Sequence, residues 1–157
     1  GIAMKTLITA FALFLGLHAP AQNYEDIVTL LHADLRTEKD TIVMATLHLD
    51  AAQRALFLPI YKEYSAALRT HWEKRAVLID DYAQAKETLD DATAISLMKR
   101  MSALDLEFIS IRDSYAKKAA KVLPGTIAAR WAQIERRLNE LFELQVANEV
   151  PLIPVKQ

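Results

Sequence analysis

Leu49-Asp50-Ala51-Ala52-Gln53-Arg54-Ala55-Leu56-Phe57-Leu58-Pro59-Ile60-Tyr61-Lys62-Glu63-Tyr64 decides how this chain folds. Asp50 can accept hydrogen bonds from the free N–H groups of a first helical turn. Gln53 follows three residues later, at capping-box spacing, and can reach back to the Asp50 N–H. Phe57, Ile60, Tyr61, Tyr64 and Leu68 then recur at steps of three and four, and Trp72, Ala76, Ile79 and Tyr82 extend the same face. That period is an amphipathic helix. Pro59 lies two turns inside it and removes one backbone hydrogen bond, so the spacing predicts a kink rather than a break, a bend that wraps the helix around its core.

Outward from this stretch the same logic repeats. Leu89-Asp90-Asp91-Ala92-Thr93 again sets a leucine before a capping acid. The expected elements are helices at about 24–46, 51–86, 91–122 and 127–147, with the second and third forming an antiparallel hairpin. Arg36-Thr37-Glu38-Lys39-Asp40 is a charged interruption of the first helix, and His48-Leu49 is the turn out of it. Leu97, Met101, Leu104, Phe108, Ile111, Tyr115 and Val122 make a near-heptad seam on the third helix. Leu123-Pro124-Gly125-Thr126 is the clear stop, with Thr126 the candidate N-cap of the fourth helix. Ile127, Trp131, Ile134, Leu138, Leu141 and Leu144 form that helix's inward face. Val150-Pro151-Leu152-Ile153-Pro154 is an extended apolar tail, which either packs over the helices or engages a partner. The class is all-α: an elongated four-helix, hairpin-type bundle.

Composition agrees. Among 157 residues there are only three glycines and five prolines, and helix formers dominate. A net charge of −1 gives no electrostatic basis for nucleic-acid capture. Lys117, Lys118 and Lys121 crowd the end of the third helix, where they complement its dipole; no interleaved aromatics accompany them as in a nucleic-acid patch. There is no cysteine, so disulfides and thiolate chemistry are excluded.

The N-terminus reads as a targeting segment. Met4-Lys5 precedes an apolar run over residues 6–17, and Ala19-Pro20-Ala21 has the small-residue pattern of a cleavage site. The run is shorter than the ~20 residues of a membrane span. Cleavage is expected after Ala21, leaving no transmembrane anchor. Residues 1–21 are then a short remnant or upstream start (Gly1-Ile2-Ala3) plus a secretory signal, and residues 22–157 form one all-α domain with its tail at 148–157. The mature chain is expected in a bacterial periplasm.

No catalytic or cofactor motif is present. His18, His32, His48 and His71 do not pair at i, i+4, and HExxH, GxSxG and glycine-rich phosphate loops are absent. Asp80-Asp81 and Asp90-Asp91 read as solvated faces and caps. The densest polar signature is Tyr61, Tyr64, Arg130, Gln133, Glu135 and Arg136. It is expected either as a structural network, with a buried Arg–Glu pair and tyrosine hydroxyls docking the fourth helix on the second, or as a partner site. Phe57, Trp72, Met98, Met101 and Phe108 are the candidate apolar client face, although a methionine pair such as Met98/Met101 is more often core filler than a client site.

Phe57-Leu58-Pro59-Ile60-Tyr61-Lys62-Glu63-Tyr64 resembles an FWPxYxEY signature. Leu123-Pro124 with Arg130-Trp131-Ala132-Gln133-Ile134-Glu135-Arg136-Arg137 resembles an LP…RFxQxExR signature. Leu144-Gln145-Val146-Ala147-Asn148-Glu149-Val150-Pro151-Leu152 is similar to the LQLAxxIPL close of the same family, small exported bacterial helical proteins. More distantly, Leu49-Asp50-Ala51-Ala52-Gln53 resembles the LTxxQ pattern of the Spy/CpxP periplasmic proteins, with Asp for Thr. That second resemblance implies a helical hairpin pairing into a cradle-shaped homodimer that acts as an ATP-independent chaperone or an envelope-stress adaptor. Those chaperones carry a basic client face, whereas this mature chain is slightly acidic. The expectation is a non-enzymatic protein, without cofactor or metal, that binds an unfolded client or a protein partner. The alternative is a structural or regulatory partner of a membrane-associated complex, engaged through the tail.

Overall fold

The computed structural model describes residues 35–155, with side chains from residue 39 onward. The expected signal segment, residues 24–34 of the expected first helix, His18 and His32 lie outside the described residues. Four helices follow in order: α1 (Leu35–Leu47), α2 (Ala51–Ala85), α3 (Asp91–Ala119) and α4 (Gly125–Glu149). No strand occurs among the described residues.

Local chemistry sets the boundaries. His48 takes φ 51°, the left-handed conformation that ends helices and that histidine adopts more readily than most residues. The Asp50–Gln53 capping box forms in both directions, Gln53 N donating to Asp50 Oδ1 (2.8 Å) and Asp50 N to Gln53 Oε1 (3.1 Å). Asp90 Oδ1 accepts from Thr93 N at 2.7 Å and caps α3. α2 continues through Pro59, whose ring lies on the exposed side.

Three boundaries differ by two residues or more from the sequence reading. α4 continues to Glu149, past its expected end at 147, so the tail begins at Val150 rather than 148. α3 ends at Ala119 rather than 122, because the chain turns at Ala120–Val122 to drive Leu123 into the core. Thr126 is not the cap of α4. Pro124 occupies that position without a side-chain bond, and Gly125 and Thr126 already lie in the first turn. Pro124 O takes the N–H groups of Ile127 (2.9 Å) and Ala128 (3.1 Å), while the exposed first turn leaves its remaining donors to water.

α2 and α3 form the long hairpin; α4 packs against α3, and α1 against α4. The apolar interior falls into three clusters. The largest joins Val43 and Leu47 of α1, Phe57, Tyr61, Tyr64 and Leu68 of α2, Phe108 and Ala119 of α3, Leu123, and Ala128 and Trp131 of α4. A second holds Ala76, Ile79 and Val146, with Trp72, Phe142 and Val150 against it. The third, toward the hairpin tip, holds Leu78, Leu89, Leu97 and Leu104, with Tyr82 and Met101 beside them.

Candidate functional site

Trp131 is the hub of the largest cluster. The rings of Phe57 and Tyr64 meet it edge-on at 5.0 and 5.1 Å between centroids, and Tyr61 at 6.2 Å. Four residues on, Glu135 is carried one helical turn further along the same face of α4 and into the same interior. Its side chain is only 2% exposed. A carboxylate there persists only if its oxygens are satisfied, and three donors converge on it. Tyr64 Oη donates to Oε2 at 2.7 Å, Trp131 Nε1 to Oε1 at 3.2 Å, and Lys39 Nζ of α1 pairs with Oε2 at 2.7 Å. The Lys39 ammonium also stands 5.2 Å above the Tyr64 ring. Beside this node Tyr61 Oη donates to Asp40 Oδ1 at 2.7 Å. Burial, and then the Glu135 charge, push the Tyr61 and Tyr64 phenols far above the ordinary tyrosine range. The tyrosines therefore act as neutral donors that tie α1, α2 and α4 together.

Of the six residues expected in one network, Tyr61, Tyr64 and Glu135 are brought together, but Arg130, Gln133 and Arg136 are not. All three are exposed, and Arg136 pairs along the surface with Glu140 (Nε to Oε1 2.8 Å). The buried Arg–Glu pair is a Lys39–Glu135 pair instead. On an α4 whose inward face is Ala128, Trp131 and Glu135, positions 130, 133 and 136 point away from the core. Lys39 and Asp40 were visible in the sequence only as the charged interruption of the first helix.

A second polar belt was not foreseen. Arg75 is 6% exposed and grips the Glu143 carboxylate with both terminal nitrogens, Nη1 donating to Oε1 at 2.6 Å and Nη2 to Oε2. One turn back, His71 is 1% exposed, with Nδ1 3.4 Å from Glu107 Oε2; Lys74 Nζ reaches the other oxygen of Glu107 at 2.5 Å. Burial lowers the His71 pKa below its ordinary value, opposed by the Glu107 contact. His71 Nε2 and Arg75 Nε are buried without a hydrogen-bond partner. The Trp72 ring meets Phe142 (4.5 Å) and Phe108 (5.9 Å), tilted against each, beside this belt. The pairs are 36 and 68 residues apart in sequence, so no local pattern could reveal them.

The expected client face does not exist as a face. Phe57 is fully buried, Phe108 is 8% exposed, and Trp72 and Met101 pack against core clusters; only Met98, at 57%, is turned to solvent. Large aromatics at core-facing helical positions yield more free energy inside, at roughly 25 cal/mol per Å² of apolar area buried. No described aromatic side chain is exposed. The large apolar side chains that do reach solvent are Leu56 and Val77 on α2, Ile95, Met98, Leu106 and Ile109 along α3, Val122 in the turn after it, Leu141 and Leu144 on α4, and Leu152, Ile153 and Val155 beyond it. An open groove of about 340 Å³ runs between α3 and α4 beside Leu106, Ile109, Arg112 and Ala132. The segment after α4 is rooted where Val150 packs into the second cluster and Tyr82 Oη donates to Pro151 O at 2.9 Å.

Among the described residues no three His, Asp or Glu side chains converge as a metal site, and no helix is long and apolar enough to cross a membrane. No family model, curated protein or solved structure matches the chain.

Proposed function

We propose that this protein is an exported, non-enzymatic binding protein, acting as an adaptor that docks on a protein partner of the bacterial envelope. One observation carries the reading. Past its root at Tyr82 and Val150, the segment Pro151–Val155 leaves the fold extended, with Leu152 92% and Val155 90% exposed. An extended apolar segment fixed at one end and unpacked beyond it is suited to a groove or a sheet edge on another protein, where alternate side chains enter pockets. The buried polar groups, by contrast, serve packing: the Glu135 node links α1, α2 and α4. The test is a crosslinking pull-down from envelope extract with the protein and with a Leu152→Asp/Val155→Asp variant. Loss of a stoichiometric partner in the variant supports the reading; a partner retained at equal yield refutes it.

A second reading, Spy/CpxP-like holding of unfolded clients without ATP, is favoured by the aliphatic stripe on α3. It predicts slower aggregation of a reduced client at equimolar protein, and no effect at several-fold excess would end it.

A further inference from the structure

The segment after α4 reads Val150-Pro151-Leu152-Ile153-Pro154-Val155, with its two prolines three residues apart. Each proline fixes its own φ near −65° and pushes the residue before it to extended or polyproline II backbone, so Val150, Pro151, Ile153 and Pro154 are all restricted. Val150 takes φ −93° and ψ 111°. Exposure along the segment has a period of three. Val150 packs against the second cluster, Ile153 is 52% exposed, and Leu152 and Val155 stand at 92% and 90%. A strand alternates every second residue and would set Ile153 and Val155 alike. A polyproline II helix has three residues per turn. That puts Val150 and Ile153 on the ridge toward the body, the two prolines on a second, and Leu152 and Val155 on a third that faces solvent. We propose that residues 150–155 are a polyproline II ligand whose Leu152–Val155 ridge docks in a groove lined by tryptophan or tyrosine rings on the partner protein.

Docking of this kind rests on the adaptor reading and narrows it to one class of surface. A sheet edge fits these residues poorly. Strand pairing takes N–H and C=O groups from alternate residues, and Pro151 falls on one edge and Pro154 on the other, so each edge lacks a donor. The balance of polar groups points the same way. Residues 151–155 carry five carbonyls but only three N–H groups, and the Pro151 carbonyl is already taken by Tyr82 Oη at 2.9 Å. The surplus is of acceptors. Indole N–H and phenol O–H groups donate to such carbonyls, and the flat faces of the same rings pack on proline and aliphatic ridges. Leu152 and Val155 lie about 9 Å apart along their ridge, at 3.1 Å per residue, so each can enter its own slot between rings. Val150 and Tyr82 set where the ligand starts. The prolines fix its form before contact, so little conformational entropy is lost on binding.

Two measurements on the full chain test this. In the free protein, NMR chemical shifts and three-bond N–H/Hα couplings at Leu152, Ile153 and Val155 are expected to report polyproline II dihedrals at all three. Strand dihedrals, or a broad average over both regions, overturn the proposal. In the second, the partner recovered by crosslinking from envelope extract is purified and titrated with the full chain and its variants. Leu152→Ala and Val155→Ala are each expected to weaken binding about tenfold, and Ile153→Ala by less than about threefold. Pro154→Ala is expected to weaken it about threefold or more, because the preset backbone is lost, whereas strand addition would gain from the restored N–H. A photoreactive residue in place of Val155 is expected to attach beside tryptophan or tyrosine of the partner. If the parent chain captures no partner, the adaptor reading fails and the docking with it. If it captures one but Pro154→Ala binds at least as well, Ile153→Ala loses as much as Val155→Ala, or the attachment falls on a sheet edge, the adaptor reading stands and the polyproline II ligand is wrong.

Discussion

Replacing Glu135 tests whether the node at Trp131 holds three helices together. Its carboxylate is the shared acceptor for Tyr64 Oη, Trp131 Nε1 and Lys39 Nζ. In Glu135→Ala all three donors lose their partner, but not equally. The Lys39 side chain is 23% exposed and can recover water. Tyr64 and Trp131 are 0% and 1% exposed and cannot. Each unsatisfied buried donor costs about 1–3 kcal/mol, and breaking a buried charged pair from one side costs about 3–5 kcal/mol. We expect a loss of about 3–5 kcal/mol, a large part of a typical total of 5–15 kcal/mol. Glu135→Gln keeps one acceptor oxygen and forfeits the pair with Lys39, so about 1.5–3 kcal/mol is expected. The discriminating measurement is a double-mutant cycle by urea unfolding at pH 7, with helical ellipticity and tryptophan emission as probes. Tyr64→Phe should cost about 1–1.5 kcal/mol in the parent and markedly less in Glu135→Gln, a coupling of about 1 kcal/mol. Equal costs in the two backgrounds, or a Glu135→Ala penalty below about 1 kcal/mol, would refute the account.

Three further outcomes follow from the same structure. The phenols of Tyr61 and Tyr64 are held protonated in the fold, so stability is untouched below the ordinary tyrosine value of 10.0 and falls above it as the unfolded chain ionises. In an alkaline titration at 295 nm, two of the five tyrosines should ionise only together with helix loss; full ionisation with helicity intact would contradict this. His71 takes its proton less readily folded than unfolded, so stability should decline as pH falls below 6.5, at up to ~1.4 kcal/mol per pH unit. Glu107, held low chiefly by its hydrogen bond from Lys74, adds a separate loss below 4.5. His71→Gln should flatten the upper of these two windows, and an unchanged slope there would exclude His71 as its source. Asp50→Ala removes the α2 cap and should cost about 1 kcal/mol, lowering Tm by roughly 2–4 °C; no shift in a thermal melt would mean that the capping box contributes nothing.

The helical hairpin could be read from residues alone because its signals are local. Asp50 with Gln53, and Asp90 with Thr93, are contacts within three residues, and the apolar period of α2 and α3 repeats along each helix. Thr126 suits a cap by type, but Pro124, two residues earlier, already fixes the backbone at the start of α4. The polar interior was half legible. Tyr61, Tyr64 and Glu135 lie on apolar faces, which marks them as inward. The cation that satisfies Glu135 is Lys39, 96 positions away in the chain, and nothing near Glu135 announces it. The arginines closest in sequence were the natural candidates, and helical geometry turns them outward. The aromatic client face failed for a related reason: periodicity shows that a ring faces inward but not how completely the neighbouring helices close over it. The exposed aliphatics of α3 remained because no described helix covers that side.

The division of the interior has a mechanical consequence. α2 is one unbroken helix of 35 residues that contributes side chains to all three apolar clusters. The cluster at the hairpin tip contains no aromatic residue among its fully buried members and draws only on α2, α3 and the turn between them. The cluster around Trp131 is braced by four helices. Amide exchange should therefore be graded along α2, slow near Tyr61 and Tyr64 and faster toward Tyr82. The rod behaves as a cantilever, clamped at the Trp131 end and compliant at the tip.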